Sequence, residues 1–253
     1  MLRLYLDAPF AVCRTFSAGW YRPTATFLTP SAAYGLLMNV AGIDTRLREE
    51  CEQHDGKTPA SLMRTDLPSV RIALGAVAET TNPFPIVQTV FQQLHNYPVG
   101  SDAGTSAELA KGNKNNITPV RREFLSDLRA IIVLRANDAL ERRVGDGLAG
   151  RLNDGRYGLP FLGDNGFLPS RLEIDGRNRP VRWYEPVSHE AAGPRLRATR
   201  LTVWIDRADT SKTVSGLYAP SETAAVDPPD TAWTLVGPDA CPARRVAEER
   251  RSL

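Results

Sequence analysis

The sequence predicts an α+β fold: a ferredoxin-like β-α-β-β-α-β body with a long insertion between strands two and three, followed by a small C-terminal β subdomain. Three observations carry this reading. The chain opens on a period-2 apolar segment, two stretches of helical periodicity each follow a strand, and a near-continuous apolar run lies just ahead of the second helix.

Leu2, Leu4 and Leu6 alternate with Arg3 and Tyr5, the pattern of a half-buried strand. Thr29-Pro30 then supplies an N-cap and a proline at the first helical position, and Ala33, Tyr34, Leu37, Val40 and Ala41 keep helical spacing up to Gly42. Val70 to Ala78 reads as the second strand. The insertion runs from about 82 to 122, with scattered Pro and Gly, the polar stretch Gly100 to Gly104, and weak periodicity. A segment of this length in a compact domain is functional or disordered.

Arg129 to Arg135, containing Ile131-Ile132-Val133-Leu134, reads as the third strand, buried on both faces. Asn137-Asp138 with Glu141 resembles a capping box, and Leu140, Val144, Leu148 and Leu152 share one face of a second helix. The closing strand of the unit has no clear signal. Beyond Phe161, Leu201 to Ile205, Val214 to Tyr218 and Trp233 to Val236 are β-like segments between Pro- and Gly-rich turns. The expected division is therefore a body over 1–175, with its insertion, and an accessory β-rich region over 176–253. Arg244 to Leu253 has no hydrophobic stripe and reads as a frayed helix or tail.

At 253 residues, 42% hydrophobic and 24% charged, the chain has the make-up of a globular protein with a substantial core. No run approaches the roughly 18 apolar residues of a membrane span, and the opening lacks the layout of a secretory signal. A cytoplasmic location without membrane association is the expectation. Cys13, Cys51 and Cys241 have no paired spacing for zinc or for a disulfide framework, which fits a reducing compartment. His54, His95 and His189 are far apart, and no Ser or Cys stands in a nucleophile motif. No metal and no cofactor is expected. The net charge of +2 is too small to announce a nucleic-acid partner by itself, so local distribution must carry that argument.

Two local features do. Lys111, Lys114, Arg121 and Arg122 lie in an acid-free stretch interleaved with Asn113, Asn115, Asn116 and Thr118, a composition suited to phosphate and sugar contacts. A solvated hairpin tip is the plainer alternative. The second feature is a glycine concentration, Gly145, Gly147, Gly150, Gly155, Gly158, Gly163 and Gly166, with Arg151 and Arg156 embedded in it. Glycines let backbone amides approach an anion closely, though ordinary turns account for them as well. The formal dinucleotide fingerprint at Gly145-Asp146-Gly147-Leu148-Ala149-Gly150 falls inside the second helix rather than in a strand-to-helix turn, which argues against it. Trp20-Tyr21-Arg22, Arg156-Tyr157 and Arg182-Trp183-Tyr184 pair aromatics with cations and could stack on unpaired bases, although each alone suits core or turn packing better.

Four segments in order resemble the Cas-five family of type I CRISPR Cascade complexes. They are Phe10-Ala11-Val12-Cys13-Arg14, Leu28 to Leu37, Ile117 to Leu125, and Arg156-Tyr157-Gly158-Leu159-Pro160-Phe161-Leu162-Gly163-Asp164-Asn165. The last two are similar to the DevS-like branch associated with type I-B systems, and the resemblance spans about residues 1–175. It implies an RRM-like, ferredoxin-like body whose 82–122 insertion acts as a thumb. It implies a non-catalytic subunit of a prokaryotic antiviral ribonucleoprotein that binds the 5′ handle of the crRNA and caps the filament of repeated backbone subunits. Its implied partners are that backbone subunit, the large subunit and, indirectly, target DNA. Carried onto this chain, handle contacts fall on Arg14, Lys111, Lys114, Arg121, Arg122, Arg151 and Arg156, with Gly155, Gly158, Gly163 and Gly166 in the glycine-rich loop. One branch of the family cleaves precursor crRNA without metal, using a tyrosine at the first helix and a lysine–histidine pair. This chain departs from that pattern, because helix one ends Asn39-Val40-Ala41-Gly42 and His95 stands between Leu94 and Asn96. An endoribonuclease is the alternative reading.

Overall fold

The computed structural model describes residues 1–15, 21–46, 62–64, 66–98, 115–153, 156, 158–188 and 197–241, without the side chains of 93–98 and 115–119. Among them the chain forms ten strands joined in one sheet and two α-helices, an α+β arrangement that is mostly antiparallel.

The alternating apolar residues of β1 (Leu2–Ala11) do place Leu4, Leu6 and Ala8 in the core beneath the helices. Thr29 caps α1 (Pro30–Val40), its hydroxyl accepting from the Ala32 amide at 3.2 Å, and Pro30 opens the first turn. The helix packs against the sheet with Ala33, Tyr34, Leu37 and Val40 all buried. Then come β3 (Val70–Val77), β4 (Ile86–Pro98), β5 (Asn115–Arg135) and α2 (Asp138–Leu148); β2 is the short Tyr21–Arg22. Asn137 caps α2 by accepting from the Leu140 amide at 2.9 Å. The two helices touch so closely that a Cβ on Gly147 would lie 1.9 Å from the Val40 carbonyl oxygen, so only glycine fits there.

The remaining strands are β6 (Arg171–Ile174), β7 (Val181–Pro186), β8 (Thr199–Trp204), β9 (Val214–Pro220) and β10 (Thr234–Val236). The sheet runs β6-β1-β5-β3-β7-β9-β8, with β10 also on β3 and both β2 and β4 on β5. β6, for which the sequence carried no clear signal, pairs antiparallel to β1. Strands C-terminal to residue 175 continue the same sheet through the β3–β7 and β3–β10 ladders.

Three expectations need correction. The insertion is not weakly structured throughout, since Ile86 to His95 pairs residue for residue with Ile117 to Ser126 as an antiparallel ribbon. Its pattern looked non-periodic because the ribbon leaves Ile86, Val87, Val90 and Phe91 all exposed, so neither face is selected as apolar. The third strand is likewise not confined to 129–135; it begins within the insertion and runs to Arg135, with a bend at Asp127, whose φ is +58°. The second helix stops at Leu148, before Leu152, where Gly150 adopts φ +70°.

On the sheet face away from the helices, a second cluster forms from Tyr5, Ala73, Ile131, Val133, Val181 and Trp183. Trp183 and Tyr184 are buried, Trp183 donating to the Ala225 carbonyl at 3.2 Å, so this pair packs the core and offers no stacking surface. Asp175 anchors the turn after β6, accepting from Arg3 Nε at 2.8 Å and pairing with Arg179, whose guanidinium lies 3.9 Å from the centre of the Tyr5 ring.

Candidate nucleic-acid interface

The basic residues converge where the ribbon leaves the body, and the local backbone explains why. Past the end of β1, the Cys13 amide donates to Thr24 Oγ1 at 2.9 Å and the Ala25 amide to the Cys13 carbonyl at 2.7 Å, which ties residues 24 and 25 to the strand end. β2 is thereby laid parallel along β5, with Tyr21 beside Arg121 and Arg22 beside Arg122. The Glu123 carboxylate locks this contact by accepting from the Tyr21 hydroxyl and, at 3.1 Å, from the Thr24 amide. Arg121 lies 5.1 Å from the centre of the Tyr21 ring, within cation–π range.

The glycine-containing turn closes on the same place. The Val12 amide donates to the Leu162 carbonyl at 2.9 Å, and the Leu162 amide to the Phe167 carbonyl at 2.9 Å. Gly163 has φ +77°, and a Cβ on it would fall 1.9 Å from the Val12 carbonyl oxygen. Asp164 then meets the ribbon root, its Oδ2 2.7 Å from Arg122 Nη1. The arm and the turn therefore face the same side.

Arg122 is only 9% exposed and also donates to Gln92 Oε1 at 3.2 Å, while its Nη2 has no partner among the described residues. Arg14, Arg22, Arg121 and Arg207 are exposed. Desolvation first, then the positive charges of Arg122, Arg22 and Arg207, lower the Arg14 guanidinium from its ordinary value, with Asp164 opposing. Asp164 is held below the usual carboxylate range by the Gly166 amide and by Arg122, outweighing its partial burial. Asp164 thus faces Arg122 and Arg14, with Arg22 and Arg207 bearing on Arg14, and this local excess of positive charge favours a polyanion.

Beside this cluster an open cavity of about 580 Å³ lies between α1, the turn and the end of β8. Its wall carries Arg14, Arg46, Arg207, Asn39, Phe161 and Trp204. Cys13 also lines it, its thiol pushed up to about 11 by burial. Among the described residues no group of three or more His, Cys, Asp and Glu side chains is placed to hold a metal ion.

Of the residues singled out by sequence, Arg14, Arg121, Arg122, Gly163 and Gly166 come together here. Arg151 and Arg156 belong to the end of α2 instead: Arg151 pairs with Asp146 at 2.7 Å, and Arg156 donates to the Gly147 carbonyl. Neither lines the cavity. Gly158 sits beside α1, its carbonyl accepting from Asn39 Nδ2 at 3.2 Å. Lys111, Lys114, Gly155, Tyr157, His54 and His189 lie outside the described residues, as does the side chain of His95. Sequence reasoning missed Arg207 and Asn39 as members of the site. Arg207 lies in the C-terminal region, and Asn39 was noted only for not being tyrosine. Arg22 was noted only for its aromatic neighbours, although its place two residues before Thr24 on a paired segment was the available signal.

The fold and this cation-rich junction define a CRISPR-associated protein, since the family model described as CRISPR-associated protein (Cas_Cas5) matches residues 1–234. The chain belongs to the Cas5 family. Among solved structures it is similar to a chain of a "CRISPR RNA-guided surveillance complex" at 15% identity, with a TM-score of 0.50, covering 91% of this chain and 95% of that one. It also aligns with the chain of "Crystal structure of Cas protein" at 14% identity, TM-score 0.43, covering 90% and 99%. No curated protein matches in sequence. No helix among the described residues is long and apolar enough to cross a membrane.

Proposed function

We propose that this chain is the non-catalytic RNA-binding subunit of a type I Cascade ribonucleoprotein, of the DevS-like, type I-B branch. It grips the 5′ handle of the crRNA in the prokaryotic cytoplasm. The observation that carries this reading is the gathering of Arg122, Arg22 and Arg207 about Arg14, with Asp164 as the opposing carboxylate, where the ribbon, the end of β1 and the glycine turn converge. Exposed guanidinium groups neutralise phosphates and release counterions, and the aromatic faces of Tyr21 and Phe161 suit unpaired bases.

The strand order β6-β1-β5-β3, with a helix following β1 and another following β5, supports a ferredoxin-like body over 1–175. The β4–β5 ribbon supports a thumb. On this reading the subunit caps the filament of repeated backbone subunits, meets the large subunit, and touches target DNA only indirectly.

The chemistry of the cleft favours holding over cutting. A general base has to be available near neutral pH, whereas Asp164 is kept ionised and engaged by Arg122. The Tyr34 hydroxyl donates to the Pro68 carbonyl at 2.8 Å, and burial raises it well above its ordinary value. The purified chain is expected to prefer handle RNA over a scrambled RNA of equal length in filter binding, with steep salt dependence. A repeat hairpin incubated with it in EDTA is expected to stay intact. Equal affinity for both RNAs overturns the handle reading, and specific cleavage lost on His95→Ala establishes the endoribonuclease alternative.

A further inference from the structure

The sheet face away from the helices carries two arginines without a carboxylate. Alternation along the strands puts Arg71, two residues before Ala73 on β3, and Arg135, two residues after Val133 on β5, on the face of the cluster that contains Ala73, Val133 and Trp183. The ladder sets the two directly opposite each other, and both are exposed. Like charges directly across a strand pair are destabilising, so the arrangement has a cost. Other strand arginines of this face each meet an acid: Arg3 lies 2.8 Å from Asp175, Arg129 2.8 Å from Asp127 and Arg171 3.1 Å from Glu173. Among the described residues neither Arg71 nor Arg135 has an ion pair.

Arg135 is nonetheless held in place. Its guanidinium lies 4.2 Å from the centre of the Trp233 ring, and Trp233 packs on the same buried cluster. A planar fork oriented in advance loses less freedom when it closes on a carboxylate through two parallel N–H bonds. Trp and Arg are also the residues in which protein interfaces concentrate their binding energy. The pair stands apart from the cation cluster of the RNA reading, because β5 carries Arg121 and Arg122 in the ribbon and Arg135 at its opposite end.

The surroundings favour a protein side chain over a nucleic-acid strand as the occupant. Asp138 is exposed three residues after Arg135, Asp230 is exposed three residues before Trp233, and Glu185 accepts from the Thr231 hydroxyl beside it. A strand with a charge on every phosphate meets repulsion from these acids, whereas a protein brings one carboxylate to one point.

We infer that Arg71, Arg135 and Trp233 form a docking point for an aspartate or glutamate side chain of a neighbouring protein subunit. The inference rests on the multisubunit assembly proposed above. The incoming carboxylate relieves the repulsion between the two guanidinium groups, and Trp233 keeps Arg135 aimed to receive it.

The test uses the complex that co-purifies with the tagged full chain, with Arg71→Lys and Arg135→Lys made one at a time. Each replaces a guanidinium by an amine, which a zero-length carbodiimide joins to a contacting carboxylate as an amide. Mass spectrometry is expected to map that amide from position 71 or 135 to an Asp or Glu of another protein chain. An amide to this same chain, a phosphoramidate to RNA or DNA, or no adduct at either position overturns the inference. Both variants are expected to bind handle RNA with the affinity of the unaltered chain, and loss of that binding moves the pair to the RNA interface and overturns the protein docking point. A second readout is the isolated full chain in urea, where Arg71→Gln removes the repulsion and should leave the unfolding midpoint unchanged or higher. A lowered midpoint gives Arg71 an internal structural role and overturns the inference as well. A tagged chain that brings down no protein subunit overturns the proposed assembly itself, and the docking point with it.

Discussion

Arg14 and Arg122 are neighbours in the same cluster, yet the structure assigns them different work, and salt dependence separates the two. Arg14 is exposed and surrounded by like charge, so it is available to a phosphate. Arg122 is held between Asp164 at 2.7 Å and Gln92 at 3.2 Å and is nearly closed off from solvent. For single-stranded nucleic acid the slope of log K against log salt is about −0.7 per neutralised phosphate. Arg14→Ala should therefore make the slope shallower by about 0.7. On the same relation the affinity falls about 4-fold at 0.15 M salt and about 8-fold at 0.05 M.

Arg122→Ala should leave the slope unchanged. Any loss of affinity will be the same at both salt concentrations, because the damage is to the join between ribbon and turn. That join is an ion pair of intermediate burial, between the small value of exposed pairs and the cost of stranding a buried charge. A coupling energy of about 1–2 kcal/mol is expected from a double-mutant cycle with Asp164→Ala in urea unfolding. The assay is fluorescence anisotropy with a labelled handle RNA across a salt series. A slope that changes with Arg122→Ala and stays fixed with Arg14→Ala refutes the assignment.

Other outcomes follow from the packing. Asp175→Asn removes the buried charge that pairs with Arg3 and Arg179, leaving Arg179 with Glu79 at 3.6 Å, and should destabilise the fold by about 3 kcal/mol in urea unfolding, with little change in RNA salt slope. Gly163→Ala combines a left-handed φ with a clash against the Val12 carbonyl, and should cost more than about 2 kcal/mol and detach the turn from the end of β1. Acid should weaken the protein through its depressed carboxylates. Burial alone would raise Asp175, but hydrogen bonds from Arg3 and from the amides of Arg177 and Arg179 outweigh it, and Asp164 is lowered by Gly166 and Arg122. Their contribution is complete above about pH 4 and is lost as the pH falls through the lowered values, so unfolding midpoints should drop below about pH 4 and stay level from there to neutrality.

The body was legible because each of its elements buries one selected face. Leu4 and Leu6 marked β1, Thr29-Pro30 marked the start of α1, and Asn137 marked the start of α2, each through a mechanism confined to a few residues. The ribbon was not legible as strands, since Val90 and Phe91 sit on opposite faces and both meet solvent, and no burial pattern records the pairing. β6 and β7 were missed because each is short and takes its stability from long-range ladders to β1 and β3. Within the site, Arg14 and Arg121 could be found from charge and motif. Arg207 could not, because it arrives from a region more than eighty residues beyond the ribbon, through pairing that only the folded sheet brings about. Arg156 lies apart from this cluster, its guanidinium donating to the Gly147 carbonyl at the end of α2.

One backbone, that of β5, belongs to both the ribbon and the heart of the sheet. Its 21 residues would extend about 70 Å if straight, and Asp127, at φ +58°, marks a bend between the last ribbon pair at Ser126 and the β3 ladder that starts at Ala130. Swinging the arm further at that bend would mean surrendering ladder bonds to β1, which pairs Phe10 with Ser126 and Ala8 with Leu128 on either side of it, so the bend is held at a set angle. A torque applied to the outer end of the ribbon would fall first on Asp127 and, beyond it, on Ile131 and Ile132, clamped between β1 and β3. Any molecule that fixes the direction of the ribbon thereby sets the load that Asp127 carries between the arm and the centre of the sheet.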